Sequence, residues 1–495
     1  MSGPPISPTG WPLSPGRTDA RPGPIGTIGN NTGAHGRSGV ASRPVTTIDQ
    51  VGKEVVHDGD GDGERARATR PVRIGVLGCG NVGAAVVQLL HDRAAVIEAR
   101  TGLRLEVTSV AVRNVSRPRS VDLADRVITR DALAVVNDPA IDLVVELIGG
   151  VEPARELITT ALRNGKPVIT GNKELLANVS TELFAAADEA GVDLLFEAAV
   201  AGGIPLIRAL RESLRGEPIT RVLGIVNGTT NFILTKMTED GADYGAALAE
   251  AQALGFAERD PTADVEGFDA GAKAAIIATV AFGVKVVAGD VYHEGISRVT
   301  AHDIAVARRL GYVVKLLAIA ERMPVTGEIA VRVHPAMVPL THPLASVRDS
   351  YNAVFVEGEA VGSLMFYGRG AGGMPTASAV LGDVIDAAVN LSRRTYASLG
   401  SFGRAVTLPI DETSAEYLIS LEVADKPGVL HAVTGVFARH GVSIRAAEQE
   451  GIAPDARLVF VTHVAKESAV QATLGELRDL DVVRSIGGLL RVIGT

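Results

Sequence analysis

The sequence predicts an α/β fold in three ordered parts: a doubly wound parallel sheet, an α+β middle domain, and a small C-terminal domain of βαββαβ order. Three observations carry this prediction. The cluster Gly78-Cys79-Gly80-Asn81-Val82-Gly83 stands between a short apolar run and a helical pattern. Short apolar runs then alternate with helical patterns to about residue 200, as βαβ units do. From about Ser414 the order becomes strand, loop, helix, strand, then strand, helix, strand.

Length and charge bound the rest. At 495 residues the chain is too long for one ordinary core. A net charge of −9 disfavours nucleic acid and anionic membrane as partners. The single cysteine, Cys79, excludes an intramolecular disulfide and fits a reducing cytosol, so a cytoplasmic location is expected. No apolar run has membrane-spanning length, and the N-terminus lacks a signal pattern.

Residues 1–70 are rich in Gly, Pro, Ser, Arg and Asp without hydrophobic period, and are expected to be disordered. Asp58–Gly63 begins like a calcium loop, but Thr69 stands where the loop needs its glutamate. Residues 71–203 are expected to form a Rossmann-type nucleotide domain. The apolar run Val72–Leu77 gives a strand, and Gly78, Gly80 and Gly83 allow a tight turn against a pyrophosphate at the following helix N-terminus. Cys79 reads as a small filler in that turn. The next strand ends in Arg113 and Asn114. An arginine there, in place of Asp or Glu, favours NADP, with NAD as the alternative. "DLVVELIGG", "PARELITTALRNG" and "KPVIT" continue the alternation. Asn172 and Lys173 then fall at a strand's carboxyl end, where open α/β sheets bind ligands. "VDLLFEAAVAGGIP" leads out of the domain, and Gly202-Gly203 can bend the chain.

Residues 204–368 mix helices and strands, as an α+β domain does. Residues 369–410 contain a glycine turn, "AGGMP", suited to close over a ligand, and a long helix that can return to the first domain; residues 411–495 form the last domain. The middle domain holds an oddity. "GFDAGAKAAIIATVAFG" reads as a helix of small and apolar residues with one lysine, Lys273, inside it. An unpaired buried charge costs several kcal/mol or more. Asp269, at i−4, can face it. Spacing alone leaves a structural ion pair as good a reading as a reactive one. Lys315 in "GYVVKLLAIA" reads as a snorkelling stem at a helix edge. Tyr292 and His293 read as packing or turn residues, and no histidines have metal-ligand spacing.

Ala251, Gly255, Phe256, Asp260, Pro261, Asp264, Gly267, Asp269 and Lys273 together resemble the signature of homoserine dehydrogenases. "VNGTTNF", "GNKELLA" and the glycine-rich return helix are similar to the same family, in the family's order, from Val72 onward. "DKPGVL" and "GVSI" resemble an ACT domain, with Ser443 where many such domains carry Asn. The resemblance implies reversible NAD(P)-linked interconversion of L-homoserine and L-aspartate 4-semialdehyde, in threonine, methionine and isoleucine biosynthesis. It implies Lys273 as proton donor and Lys173 beside cofactor and substrate. Glu258 and Asp269 would take the substrate ammonium, and Asp264 would join them or orient Lys273. Alone, Glu258 and Asp264 would read as a solvated acidic loop.

Cofactor contacts are implied at Gly78, Gly80, Asn81, Val82, Gly83, Arg113, Lys173, Gly255 and Gly372. A sodium ion is implied at Glu197, Val200, Gly202 and Ile204, largely through backbone carbonyls. Dimerisation through the middle domain is implied, giving a homodimer or homotetramer. An amino-acid effector, L-threonine, is implied at the ACT domain's "DKPGVL" turn, where Gly428 lets amides approach a carboxylate. Two other readings use the same fold: a related semialdehyde dehydrogenase, and an amino-acid sensor without catalysis. The Lys273 motif opposes the first, and retention of both Lys173 and Lys273 opposes the second.

Overall fold

The computed structural model describes residues 70–400, 402–452 and 455–494. The expectations for residues 1–69, the Asp58–Gly63 run included, lie outside them. The first sheet is built from β1 (Val72–Leu77), β2 (Leu105–Ala111), β3 (Val127–Thr129), β4 (Leu143–Glu146), β5 (Val168–Thr170) and β6 (Leu194–Leu195). Helices α1 (Asn81–Asp92), α2 (Ala94–Thr101), α3 (Ala132–Asn137), α4 (Ala154–Arg163) and α5 (Lys173–Ala190) connect them. All neighbours are parallel, in the order β3-β2-β1-β4-β5-β6. The order reverses between β1 and β4, which opens a crevice at the strands' carboxyl ends. The apolar runs form strands because both faces are covered: Ile74, Val76, Leu77, Val144 and Val145 are fully buried. Any side chain at Gly83 would collide with the Gly78 carbonyl, so α1 can start this close to the turn only with glycine there.

The middle domain begins with β7 (Ile219–Ile225) and the helices α6 (Gly228–Glu239), α7 (Tyr244–Ala253), α8 (Thr262–Val265) and α9 (Phe268–Phe282). Two short strands, β8 (Val284–Lys285) and β9 (Tyr292–His293), and α10 (Ala301–Arg309) follow. Then come four longer strands, β10 (Tyr312–Arg322), β11 (Ile329–Pro339), β12 (Tyr351–Gly358) and β13 (Gly362–Arg369). They pair antiparallel in the order β13-β12-β7-β10-β11. Gly271 and the alanines of α9 let that helix lie close between α5 and the sheet, and one continuous apolar core runs through all three.

Lys315 departs from the sequence expectation. It lies in β10, not on a helix edge, and is 2% exposed. An apolar run around one lysine fits a buried strand as well as a helix, and here the strand is central. The ammonium is held by the Asn231 side chain at 2.9 Å and by the Val347 carbonyl. Helix α11 (Gly373–Arg393) returns to the first domain as expected: Ala377, Val380, Val384 and Ala387 share a core with Ile74 and Val86.

After the short β14 (Gly403–Arg404), which pairs with β8, the last domain runs β15 (Ser414–Ala424), α12 (Val429–Arg439), β16 (Ile444–Ile452), β17 (Asp455–Thr462), β18 (Ala465–Lys466), α13 (Glu467–Arg478) and β19 (Val483–Val492). Its sheet order is β19-β15-β17-β16, with β18 off one end of β15. The domain is not merely tethered. β19 pairs in parallel with β11 at Ala336↔Arg491 and Met337↔Val492, which merges the two sheets into one of 11 strands. Arg491, 2% exposed, anchors the joint. It donates to Glu467 at 2.7 and 2.8 Å and to Glu294 of the middle domain at 2.8 Å.

Candidate active site

Two asparagine caps and one apolar helix assemble the site. Asn172 caps α5, its side chain accepting from the Leu175 amide at 3.1 Å, and this fixes Lys173 as the first helical residue. Asn227 caps α6 in the same way through the Thr230 amide at 2.9 Å. Helix α9 starts at Gly267, in left-handed conformation, and places Asp269 in its first turn and Lys273 one turn later. Residues 96 apart in sequence then meet: Lys173 and Asp269 form an ion pair through Oδ1. Lys273 reaches Asp269 Oδ2 at 2.7 Å and the Val226 carbonyl at 2.7 Å. Asn227 Nδ2 donates to Asp269 Oδ2 at 2.9 Å and to Asp264 Oδ1 at 2.7 Å.

The two lysines differ in setting. The Lys173 side chain is 45% exposed and that of Lys273 is 11% exposed. Burial pushes the Lys273 ammonium below its ordinary pKa; Asp269 opposes the shift, and the Lys173 charge adds to it. Burial alone would raise the Asp269 carboxyl, but the charges of Lys273 and Lys173 outweigh it and hold the group well below the usual carboxylate range. Asp269 therefore spends both oxygens on the lysines and Asn227, where the resemblance gave it the substrate ammonium. Asp264 is held by Asn227 and by Thr229 Oγ1 at 3.2 Å. Glu258 is exposed and its side chain makes no hydrogen bond among the described residues; only its backbone carbonyl is used, by Gln252 at 3.0 Å.

At the switch point of the first sheet lies a cavity of about 760 Å³. Gly78, Cys79, Gly80, Asn81 and Arg113 line it, and so do Arg117, Arg119 and Arg130, which sequence reasoning did not single out. Four arginines around one cavity make a strong anion site. Cys79 is half-buried, and burial raises its thiol. Val82 and Gly83 support the turn from beneath and do not line the cavity. Gly372 heads α11, and Gly373 lies against Asn81 at the cavity's rim. Gly255 is not among the lining residues.

The sequence also gave no signal for Glu146. It is fully buried at the end of β4 and accepts from Thr170 Oγ1 at 2.6 Å and from the amides of Ile148 and Gly149 at 2.7 and 3.2 Å. It sets the loop that forms one wall of the crevice, and a charged residue ending an apolar strand was its only sequence mark.

The segment from Glu197 to Ile204 forms a tight turn with Ala201 and Gly202 in left-handed conformation. A side chain at Gly202 would collide with the Gly370 carbonyl, so the turn presses directly on the glycine loop before α11. Glu197 is 4% exposed, and its two oxygens accept from the amides of Ile207 and Arg208 at 2.8 and 2.7 Å. Among the described residues no hydrogen bond uses the carbonyls of Val200 and Gly202, while that of Ile204 accepts from Leu206 at 2.8 Å.

A doubly wound sheet with a glycine turn and anion-binding cavity at its switch point, in a chain that also carries a buried ammonium able to give or take a proton, defines a nicotinamide-dependent oxidoreductase. Comparison with known proteins narrows this. Residues 78–197 match the model for the homoserine dehydrogenase NAD-binding domain, residues 205–385 that for homoserine dehydrogenase, and residues 417–482 that for the ACT domain. The homoserine dehydrogenase of Mycobacterium tuberculosis is 49% identical over 439 residues, covering 86% of this chain and 98% of its own. The crystal structure of a homoserine dehydrogenase from Thiobacillus denitrificans matches with a TM-score of 0.81 at 40% identity, over 86% of this chain and 98% of that one. A hyperthermophilic archaeal homoserine dehydrogenase in complex with NADPH matches at 30% identity and a TM-score of 0.56, over 65% of this chain and 98% of that one. The chain belongs to the homoserine dehydrogenase family.

Proposed function

We propose that this enzyme uses NADPH to reduce L-aspartate 4-semialdehyde to L-homoserine, and the reverse, under control of an amino acid sensed through the ACT domain. The observation that carries the chemistry is the pair of lysines held by one buried carboxylate. When bound, the reduced nicotinamide supplies the hydride. Lys273 holds the proton that the substrate oxygen needs as it gains charge, and burial, by lowering its pKa, makes that proton easier to give. Lys173, more exposed and at the strand end, faces substrate and cofactor and orients the oxygen. Asp269 acts by positioning: it keeps both ammonium groups in place and charged. Asp264, fixed by Asn227 and Thr229, and Glu258, free at the surface, remain to receive the substrate ammonium.

Four arginines around the nucleotide cavity favour a 2′-phosphate, and the archaeal relative was solved with NADPH. A sodium ion fits the turn at 200–204, where among the described residues the carbonyls of Val200 and Gly202 have no other partner and that of Ile204 keeps a lone pair. Glu197 would balance its charge while its oxygens stay on the amides of Ile207 and Arg208. Such an ion would stiffen the turn between the two domains. L-threonine is the proposed effector, the middle domain the proposed dimer contact, and the cytosol the proposed location. Among the described residues no helix is long and apolar enough to cross a membrane.

Lys273→Ala tests the reading. Turnover should fall about 10²–10⁴-fold, while NADPH binding, read by nicotinamide fluorescence, stays within about twofold. Near-normal kcat would remove Lys273 from the chemistry.

A further inference from the structure

Glu146 is fully buried, and the hydrogen-bond partners of its carboxylate among the described residues are two amides and a hydroxyl, all neutral. Burying a carboxylate without a cation is costly, and apolar groups of similar shape often hold a loop as well or better. Stability alone does not account for an acid at this position. What a hydrogen-bonded carboxylate adds over apolar packing is direction.

The bonds around Glu146 close a ring. One carboxylate oxygen accepts from the amides of Ile148 and Gly149, in the loop after β4, and the other accepts from Thr170 Oγ1. Thr170, also fully buried, ends β5, and its hydroxyl accepts from the Asn172 amide at 3.0 Å. The Asn172 side chain donates back to the Gly150 carbonyl at 2.7 Å, in the loop where the ring began. One side of the ring meets the cofactor site. Leu147 and Ile148 line the nucleotide cavity, the Leu147 amide donates to the Leu77 carbonyl at 2.7 Å, and a side chain at Gly78 would lie 2.6 Å from the Leu147 carbonyl. The loop therefore rests directly on the glycine turn. The other side meets the chemistry: Asn172 caps α5, and Lys173 follows it at the helix start and pairs with Asp269.

We propose that Glu146, Thr170 and Asn172 are positioning residues that set the wall of the cofactor cavity and the Lys173 ammonium as one unit. The proposal rests on the reading that Lys173 orients the substrate oxygen. The Lys173 side chain is long and 45% exposed, so its placement depends on where its backbone starts and on Asp269. Displacing a reacting group by about 1 Å can cost about 10²-fold in rate. With the loop after β4 and the start of α5 in one ring, the two sides of the reaction keep their spacing.

Opening the ring has a signature that loss of stability lacks. Lys273 is faced by Asp269 of α9 and Asp264 of α8, which raise its pKa, and by Lys173 of α5, which lowers it. When Lys173 drifts from Asp269, the lowering weakens and Asp269 is left to Lys273. The falling limb of the reductive pH profile then moves up.

The test uses the full chain. Thr170→Val removes the hydroxyl and keeps the shape. Asn172→Ser keeps a capping side chain and removes the donor to Gly150. Thr170→Ser keeps the hydroxyl. The first two open the ring at different links, so either can be read if the other fails to fold, which a thermal melt shows. Each should lower kcat for semialdehyde reduction at least about tenfold. Each should weaken NADPH, read by nicotinamide fluorescence, at least about threefold, and move the falling limb of kcat/KM up by about half a pH unit or more. Thr170→Ser should keep the limb in place and kcat within about threefold of wild type. In a Lys173→Ala background, Thr170→Val should cost little further turnover, because its effect passes through Lys173. The proposal is overturned by unchanged NADPH affinity, by an unmoved limb, by an undiminished loss in the Lys173→Ala background, or by loss of the fold in both ring-opening variants. Normal turnover in Lys173→Ala alone would instead defeat the reading of Lys173 on which the proposal rests.

Discussion

Replacing Asp269 by asparagine should move the enzyme's pH dependence. Asp269 Oδ2 lies 2.7 Å from the Lys273 ammonium. Two unit charges at that separation attract by about 6 kcal/mol at an effective dielectric of about 20. The amide keeps an acceptor and a dipole, so only part of this is lost. Even a quarter, about 1.5 kcal/mol, corresponds to about one pH unit. The sign is fixed. Burial and the Lys173 charge both lower the Lys273 pKa, and Asp269 opposes them; without the carboxylate the pKa falls further. Reduction needs the ammonium and so is active below that pKa; oxidation needs the free amine and is active above it. The assay is kcat/KM in both directions from about pH 6 to pH 10.5, with cofactor saturating, a span that brackets the ordinary lysine value. Asp269→Asn should shift the falling limb of reduction and the rising limb of oxidation down together by at least about one unit. Limbs that stay in place, or move up, would refute the role given to this carboxylate.

Three further outcomes follow from the same geometry. Arg113→Glu should weaken NADP and raise the relative use of NAD, read as the ratio of kcat/KM for the two cofactors; an unchanged ratio would move the 2′-phosphate contact to Arg117, Arg119 or Arg130. Burial lowers the Lys315 pKa to about 8. Below that pH both folded and unfolded chains carry the charge and the folded one bears the penalty; between there and the ordinary lysine value the folded chain sheds the proton first, so stability rises with pH. Relative to Lys315→Met, the wild type should gain about 2 kcal/mol between about pH 7 and pH 9.5 in urea unfolding, and no gain would mean the ammonium is solvated. Deleting residues after 410 should lower the melting temperature sharply and expose apolar surface to dye, because Leu490 and Val492 belong to the same core as Met337; a monodisperse, equally stable truncation would show the shared sheet to be dispensable.

Local features were legible in the sequence, and pairings over long separations were not. The glycine turn could be read because strand, turn and helix are contiguous. Lys273 with Asp269 could be read because one helical turn separates them and everything around is apolar. Lys173 with Asp269 could not, since nothing local ties positions on α5 and α9; the resemblance gave Asp269 only a substrate contact, and its bonds to Lys173 and Asn227 are tertiary. Asn227 was visible only inside a resembling motif; its bridging of Asp264 and Asp269 is tertiary. Arg117, Arg119 and Arg130 sit in loops without period and converge only when β2 and β3 pair. Lys315 was assigned to a helix because a lone lysine in an apolar run does not distinguish the two periods. The last domain's order was plain, but its junction with β11 rests on a two-residue register.

That junction governs the order in which the protein can be made. β19 is the latest strand in the chain, and its partner β11 leaves the ribosome more than a hundred residues earlier. Through that interval the edge of β11 from Ala336 onward, in the middle of the finished sheet, is an open template for mispairing. Nascent chains should therefore be most vulnerable to aggregation after the nucleotide domain is complete and before β19 emerges, and slowing synthesis there should lower yield more than slowing it within the first sheet.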